Sequence, residues 1–340
     1  MDSTNHIRFK ASDRSYFSIL KKEIHNIVAA AGFSEKKIGE IDIIVAEMTS
    51  NLLKHAGGGD ILVRLVDENG DAALELISID SGKGMSDVAK MEIDGYSTTN
   101  TLGHGLGSIK RLSDLSQIYS LKDWGTILLC RIFKEESAAR RTRSAAEVRS
   151  VVVCKPGEEV CGDGFFYKLD KDRLQIFLGD GLGHGVEANK AVTAAIARFK
   201  ETNETSPLHV LRDLHVVVKK TRGLVGCIAT YSFRDRKWSI CGIGNIATRT
   251  LVSGTVIKTH MSYNGIIGLS IPNTMKEQVL DGERGQIVMM CSDGIKTRLD
   301  LQKYPGIFRY DLSILAAAVF KDFSRETDDM SVVVGRINFN

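Results

Sequence analysis

Between Lys134 and Glu147 the hydrophobic periodicity that runs through the rest of the chain stops. The stretch is rich in Ala, Arg, Glu and Ser and shows no strand alternation. A chain of 340 residues is long for one hydrophobic core, and this interruption leaves a segment of ordinary domain size on each side. The expected organisation is a domain at 1–134, a linker at 135–146 and a second domain at 147–340. Arg140, Arg141 and Arg143 read as a solvated basic linker rather than a binding patch.

Each half mixes helical and strand patterns. Tyr16, Ile19, Leu20, Ile24, Ile27 and Val28 form an apolar stripe on a helix from Asp13 to Ala31. Ser34 is placed to cap a second helix carrying Ile38, Ile41, Val45, Met48 and Leu52, which Gly57 to Gly59 end. Strands are expected at Ile61–Val66, Ala73–Ile79, Ser116–Leu121 and Thr126–Phe133, with a helix near Leu106–Leu112. The second half opens on strands at Val151–Cys154, Gly164–Leu169 and Arg173–Leu178. Helices follow at Val186–Thr202 and Pro207–Lys220, then strands between Val225 and His260 and at Gln286–Met290. A helix at Asp311–Phe323 and a strand at Ser331–Ile337 close the pattern. This is an α/β (α+β) layout of layered sandwiches.

Bulk composition removes several function classes. A net charge of +3 is too small to argue for nucleic acid or an anionic membrane. The apolar run Leu315–Phe320 is too short to span a bilayer, and charged Met1–Phe17 lacks the apolar core of a signal peptide. The six cysteines include no Cys-x-x-Cys pair and lie in or beside apolar runs, as expected of reduced thiols in a cytoplasmic protein.

Three elements in the first half suggest a nucleotide site. Glu47 and Asn51 lie four apart and share one helix face, as either a satisfied surface pair or the floor of a site. Asp80 leaves an apolar strand into a turn containing Gly82 and Gly84, where a carboxylate can accept from an exocyclic amine and backbone can approach a ring. Gly103-His104-Gly105-Leu106-Gly107 precedes a helix, offering backbone N–H groups where phosphate is favoured. Together these resemble the N, G1 and G2 boxes of the GHKL ATPase superfamily over Ile38–Phe133. Asp94–Thr99 with Leu102–Gly107 and Lys110–Leu112 resembles the serine/threonine switch kinases of bacterial partner-switching systems. The resemblance implies a two-layer sandwich in which Asn51 holds Mg²⁺, Asp80 reads adenine and Gly103, Gly105 and Gly107 hold the phosphates of ATP. It also implies that Glu47 activates the attacking group. His55 departs from the switch-kinase pattern and is similar to related anti-sigma kinases; it reads as a structural helix-end residue.

In the second half, Asp163, Asp180, Asp293 and Asp328 each sit in a turn expected to follow an apolar strand. One such turn is ordinary. Four converging at one sheet rim would need a cation, and hard oxygen ligands suit Mg²⁺ or Mn²⁺. The order, above all Gly179-Asp180-Gly181-Leu182-Gly183-His184-Gly185, resembles the SpoIIE-type metal-dependent protein phosphatases over Val151–Arg336. That resemblance implies an α-β-β-α sandwich and two metal ions bridged by Asp180. The Gly181 carbonyl is implied as a further ligand, with Asp293 and Asp328 on the second metal and Asp163 in the first or outer shell. Asp180 is then the central catalytic carboxylate. His184 reads either as a proton donor or as a turn-stabilising residue, and Asp329 as a structural neighbour of Asp328. The implied function is a kinase-like and phosphatase fusion acting on a STAS-domain antagonist phosphoprotein. Its first domain alternatively sequesters a sigma factor or other output protein, or senses energy charge for the phosphatase.

Overall fold

A computed structural model describes residues 5–11, 13–68, 70–85, 105–135, 144–252 and 255–338. The chain forms two compact units, one within Met1–Arg141 and one within Thr142–Asn340.

The first unit is one antiparallel sheet covered by helices. Its strands are Ile7–Ala11 (β1), Gly59–Glu68 (β2), Asp71–Ile79 (β3), Leu115–Leu121 (β4) and Gly125–Phe133 (β5), in the order β1-β2-β3-β5-β4. The helices are Arg14–Ala30 (α1), Glu35–Asn51 (α2) and Gly105–Leu112 (α3). Leu20, Ile24 and Val28 of α1 and Ile41, Ile44, Val45 and Met48 of α2 recur at helical spacing. They close over Ile61, Val63, Leu74, Leu76, Leu128 and Cys130 of the sheet. Ser34 caps α2, its hydroxyl accepting from the Lys37 N–H at 3.3 Å. Beyond Asn51 the helix widens into a π turn, Leu52–Ala56, which Gly57 ends at φ 68°. The first strand was not expected: β1 is a short strand at the edge of the sheet as described, paired with β2, where Phe9 stands opposite Ile61.

The second unit stacks two five-stranded antiparallel sheets between helices. The strands in chain order are Ala146–Val153 (β6), Asp163–Leu169 (β7), Arg173–Gly181 (β8), Leu224–Ser232 (β9), Lys237–Ile243 (β10), Ala247–Val252 (β11), Thr255–His260 (β12), Gln278–Asp281 (β13), Ile287–Cys291 (β14) and Met330–Ile337 (β15). One sheet runs β13-β10-β9-β8-β7 and the other β12-β11-β14-β15-β6. Alternation along β8 explains the layering. Leu174, Ile176 and Leu178 face the second sheet's Val148, Val288 and Val333, whereas Phe177 faces Phe199 and Leu211 in the helical layer. That layer is Val186–Glu201 (α4) and Pro207–Val217 (α5), while Leu312–Phe323 (α6) packs on β6 and β15. The result is the α-β-β-α sandwich.

Two expectations need correction. The linker was expected to run through residue 146, but β6 begins at Ala146, because Ala146 pairs with Ile337 and Glu147 with Arg336 at the end of β15. The Glu147 carboxylate also accepts from Arg336 at 2.5 Å, so this charged residue is drawn into the sheet edge. Residues 136–143 of the expected linker lie outside the described residues. The four acidic turns do not all follow strands: Asp180 and Asp293 lie at or just past strand ends, whereas Asp163 opens β7 and Asp328 precedes β15. Antiparallel pairing reconciles them, since the end of one strand adjoins the start of the next.

Candidate functional site

In the first unit, α2 places Glu47 and Asn51 one turn apart, and α3 begins directly against them. A Cβ on Gly105 would lie 2.7 Å from Glu47 Oε2 and 3.7 Å from Asn51 Oδ1, so any larger residue at the α3 N-terminus would push the Glu47 carboxylate aside. Asn51 Nδ2 is buried and has no hydrogen-bond partner among the described residues. An orphaned amide there fits a polar ligand. Asp80 leaves β3 with Oδ1 accepting from the Gly82 N–H at 2.8 Å and the Thr126 N–H at 3.2 Å. Its own N–H donates to the Thr126 carbonyl at 3.0 Å. Gly82 packs on the π turn, where a Cβ would meet the His55 carbonyl at 2.7 Å, and a Cβ on Gly84 would overlap the Leu121 carbonyl. The structure thus gathers Glu47, Asn51 and Gly105, and sets the Asp80–Gly84 turn against the end of the same helix. Gly107 is buried inside α3. Gly103, Asp94–Thr99, Leu102 and His104 lie outside the described residues.

In the second unit, Asp163 and Asp180 stand directly opposite each other across β7 and β8. Asp163 is 2% exposed; its Oδ2 accepts from Ser331 Oγ at 2.7 Å, while Oδ1 is buried without a partner among the described residues. Asp293 accepts from Asn245 Nδ2 at 2.9 Å. Asp328 Oδ1 accepts from the Asp329 N–H at 2.9 Å. The Gly181 N–H donates to the Gly162 carbonyl at 3.0 Å, and a Cβ on Gly181 would overlap the Ala188 carbonyl, locking the loop to α4.

The electrostatics mark this as one cluster. Burial, then the charges of Asp163, Asp293, Asp328 and Asp329, push the Asp180 carboxyl up to about 9. Burial pushes Asp163 up to about 7, although hydrogen bonds from Ser331 and Ser292 oppose the shift. Asp293 is raised by burial and by Asp328, with Asn245 pulling the other way. Carboxylates that raise one another are short of positive charge. An all-oxygen donor set with an orphaned buried oxygen therefore fits hard divalent cations.

Asp329 lies beside this rim with its carboxylate turned to backbone amides. Its Oδ1 accepts from the Lys155 N–H and its Oδ2 from the Gly162 N–H, both at 2.8 Å, so it ties two backbone segments together. Sequence reading did not single out Asn245, Ser292 or Ser331, whose ordinary residue types carry no signal without the fold. Nor did it single out Glu158, whose Oε1 lies 2.5 Å from His184 Nδ1 across 26 positions, or Arg222, whose Nη1 would lie 3.2 Å from a Cβ on Gly183.

The two folds are those of a histidine kinase-like ATPase domain and, behind it, a SpoIIE-type phosphatase domain. The family described as histidine kinase-like ATPase domain matches residues 10–132, and that described as Stage II sporulation protein E (SpoIIE) matches residues 170–338. Over 101 residues the chain is 34% identical to the serine/threonine-protein kinase RsbT of Bacillus subtilis, covering 30% of this chain and 76% of that kinase. Over 93 residues it is 32% identical to the phosphoserine phosphatase RsbX of the same organism, covering 27% of this chain and 46% of that phosphatase. A solved structure from work on the bacterial stressosome as a modular system controlling secondary messenger signaling aligns with TM-score 0.53 and 27% identity. It covers 56% of this chain and 99% of its own. RsbX in complex with magnesium shares the fold at TM-score 0.50 and 19% identity, over 66% of this chain and 100% of that one. The chain belongs to the histidine kinase-like ATPase family, in its RsbT-like branch, and carries a SpoIIE-type protein phosphatase domain behind it. Among the described residues no helix is long and apolar enough to cross a membrane.

Proposed function

We propose that this protein is a bifunctional regulator of a bacterial partner-switching pathway. Its second domain removes phosphate from serine or threonine of a STAS-domain antagonist protein, and its first binds Mg-ATP and phosphorylates such a protein. The observation that carries the reading is the convergence of Asp163, Asp180, Asp293 and Asp328 at one rim, where Asp163 stands opposite Asp180, a buried Asp163 oxygen has no partner among the described residues, and the carboxyls of Asp163, Asp180 and Asp293 are all raised. Asp180, the Gly181 carbonyl, Asp293 and Asp328 would hold two Mg²⁺ or Mn²⁺ ions, with Asp163 completing the set. Such a pair supplies Lewis acidity toward the phosphoryl oxygens and lowers the pKa of an attacking water. Ser331 and Asn245 orient the carboxylates of Asp163 and Asp293. His184, held through Nδ1 by Glu158, would hand a proton from Nε2 to the leaving serine oxygen.

In the first domain Asn51 would hold Mg²⁺, Asp80 would accept from the adenine amine, and the backbones of Gly82, Gly84, Gly103, Gly105 and Gly107 would line ring and phosphates. Glu47 accepts the proton of the incoming hydroxyl; its carboxylate lies against the α3 N-terminus, where a transferring phosphate is favoured. Both activities on one serine would only hydrolyse ATP, so the fusion implies reciprocal control or two different phosphoproteins.

The test gives the full chain a phosphorylated STAS protein with and without EDTA, and separately ATP with the unphosphorylated protein. EDTA and Asp180→Ala should each abolish dephosphorylation. Glu47→Ala should keep nucleotide and slow transfer by about 10²–10⁴. Turnover that survives EDTA sinks the phosphatase mechanism, and tight partner binding without transfer by the wild type favours a sequestering first domain.

A further inference from the structure

Beside the oxygen-lined rim lies a cluster of different chemistry. The Sγ atoms of Cys154 and Cys161 and a carboxylate oxygen of Asp329 all lie within 4.8 Å of one another. The fold brings them together from three separate segments. Cys154 follows the last residue of β6, and Asp329 precedes β15, whose Met330 pairs with Val153 of β6. Cys161 ends the turn that leads into β7, and its carbonyl accepts from Asn189 Nδ2 of α4 at 2.8 Å. Cys161 and Asp329 are buried, while Cys154 is half-buried and gives an ion a way in.

We propose that Cys154, Cys161 and Asp329 form a binding site for a single soft divalent cation of the zinc class, distinct from the hard-ion rim. Two thiolates and a carboxylate make a donor set that selects such ions over Mg²⁺, which takes oxygen ligands almost exclusively. In a tetrahedral zinc site the sulfur and oxygen ligands stand roughly 3.5–3.8 Å apart, so these atoms need close by only about an ångström. The fourth position is left to water. The outer support is already in place. Each Asp329 oxygen accepts one backbone N–H, from Lys155 and from Gly162, which fixes the carboxylate plane and leaves each oxygen a second lone pair. A cation here clips the two ends of the 154–161 loop together. That loop carries Glu158, the partner of His184, and runs directly into Asp163. The proposal rests on the thiol pair and stands whether or not the rim carries phosphatase chemistry.

Cobalt distinguishes the two sites, because only thiolate ligands produce a sulfur-to-cobalt charge-transfer band. The full chain, stripped with chelator and kept reduced with a phosphine, is titrated with Co²⁺ in excess Mg²⁺. The expected result is a charge-transfer band that saturates at one equivalent and is bleached by Zn²⁺. Cys154→Ser, at the half-exposed position, should keep the circular-dichroism spectrum of the wild type while at least halving the band and weakening Co²⁺ by roughly a hundredfold. Asp329→Asn should keep the sulfur band but require more Co²⁺ to reach it. A wild-type protein with no charge-transfer band at saturating Co²⁺ overturns the site, as does a band undiminished in both Cys154→Ser and Cys161→Ser.

Discussion

Replacing Asp180 with Asn should make the metal-free protein more stable and flatten its dependence on pH. An aspartate in the unfolded chain titrates near 3.8, whereas burial and four neighbouring carboxylates push Asp180 up to about 9 in the fold. Between those values the folded state holds a proton that the unfolded state has released. Raising the pH therefore destabilises the fold, by about 1.4 kcal/mol per pH unit for each such proton. Asp163 acts the same way in a narrower window, from 3.8 to about 7. From about pH 7 to about pH 9 Asp180 acts alone and accounts for on the order of 3 kcal/mol. Asparagine cannot ionise, so the variant loses this slope. The assay is thermal melting of the full chain in EDTA across that range, read on the transition that Mn²⁺ shifts. In Mn²⁺ the order should reverse, with the wild type gaining stability and the variant gaining little. Equal pH slopes in EDTA, or a wild type that grows more stable as the pH rises, would refute the reasoning.

Asp80→Asn should weaken ATP by calorimetry, since with Oδ1 held by the Gly82 and Thr126 N–H groups the second oxygen, the one left to accept from the adenine amine, becomes a donor. Equal affinity would remove Asp80 from the adenine site. Cys291→Ser should leave dephosphorylation nearly unchanged, because burial pushes that thiol up to about 12 and its side chain is closed off in β14. A loss of turnover with an intact fold would point to a thiol mechanism instead. Glu75→Gln should destabilise the first unit by about 3–5 kcal/mol, because Arg131 at 2.6 Å and Arg64 at 2.9 Å would be left buried without their carboxylate. Those arginines, with His6, hold Glu75 well below the usual carboxylate range despite its burial. The wild-type contribution is therefore full above about pH 4.5 and is lost as the pH falls below it. Chemical denaturation across that pH range checks both the size and the sign.

Much of this was legible in the residues alone. Apolar spacing at three and four positions in α1 and α2, and at two in β8, reflects a local rule: backbone geometry decides which side chains share a face. Most of the assigned strands and helices were accordingly visible to within a residue or two, although β6 begins five residues before the expected Val151 and the helix from Pro207 ends three residues early. Ser34 as a cap and the acidic and glycine-rich turns were visible as well. Short edge strands were not. Residues Ile7–Ala11, though apolar at 7, 9 and 11, and Gln278–Asp281 are only five and four residues long, and they are strands because β2 and β10 offer them hydrogen-bonding edges. The same limit applies to the metal rim. Asp163, Asp180 and Asp293 announced themselves beside glycines, but the number of neighbours of each did not, and neither did the direction in which each carboxylate points. Asp328 and Asp329 are adjacent in sequence and chemically identical. Only the fold turns the second inward to bind the Lys155 and Gly162 amides, leaving the first at the rim. Ser331 beneath Asp163, Asn245 beside Asp293, and Cys154 near Cys161 and Asp329 are likewise products of strand pairing. Sequence determined which segments could be helix, strand or turn, because those preferences are short-ranged. Which polar atoms meet, and what that does to their charge, was decided by side-chain contacts between segments up to 189 positions apart.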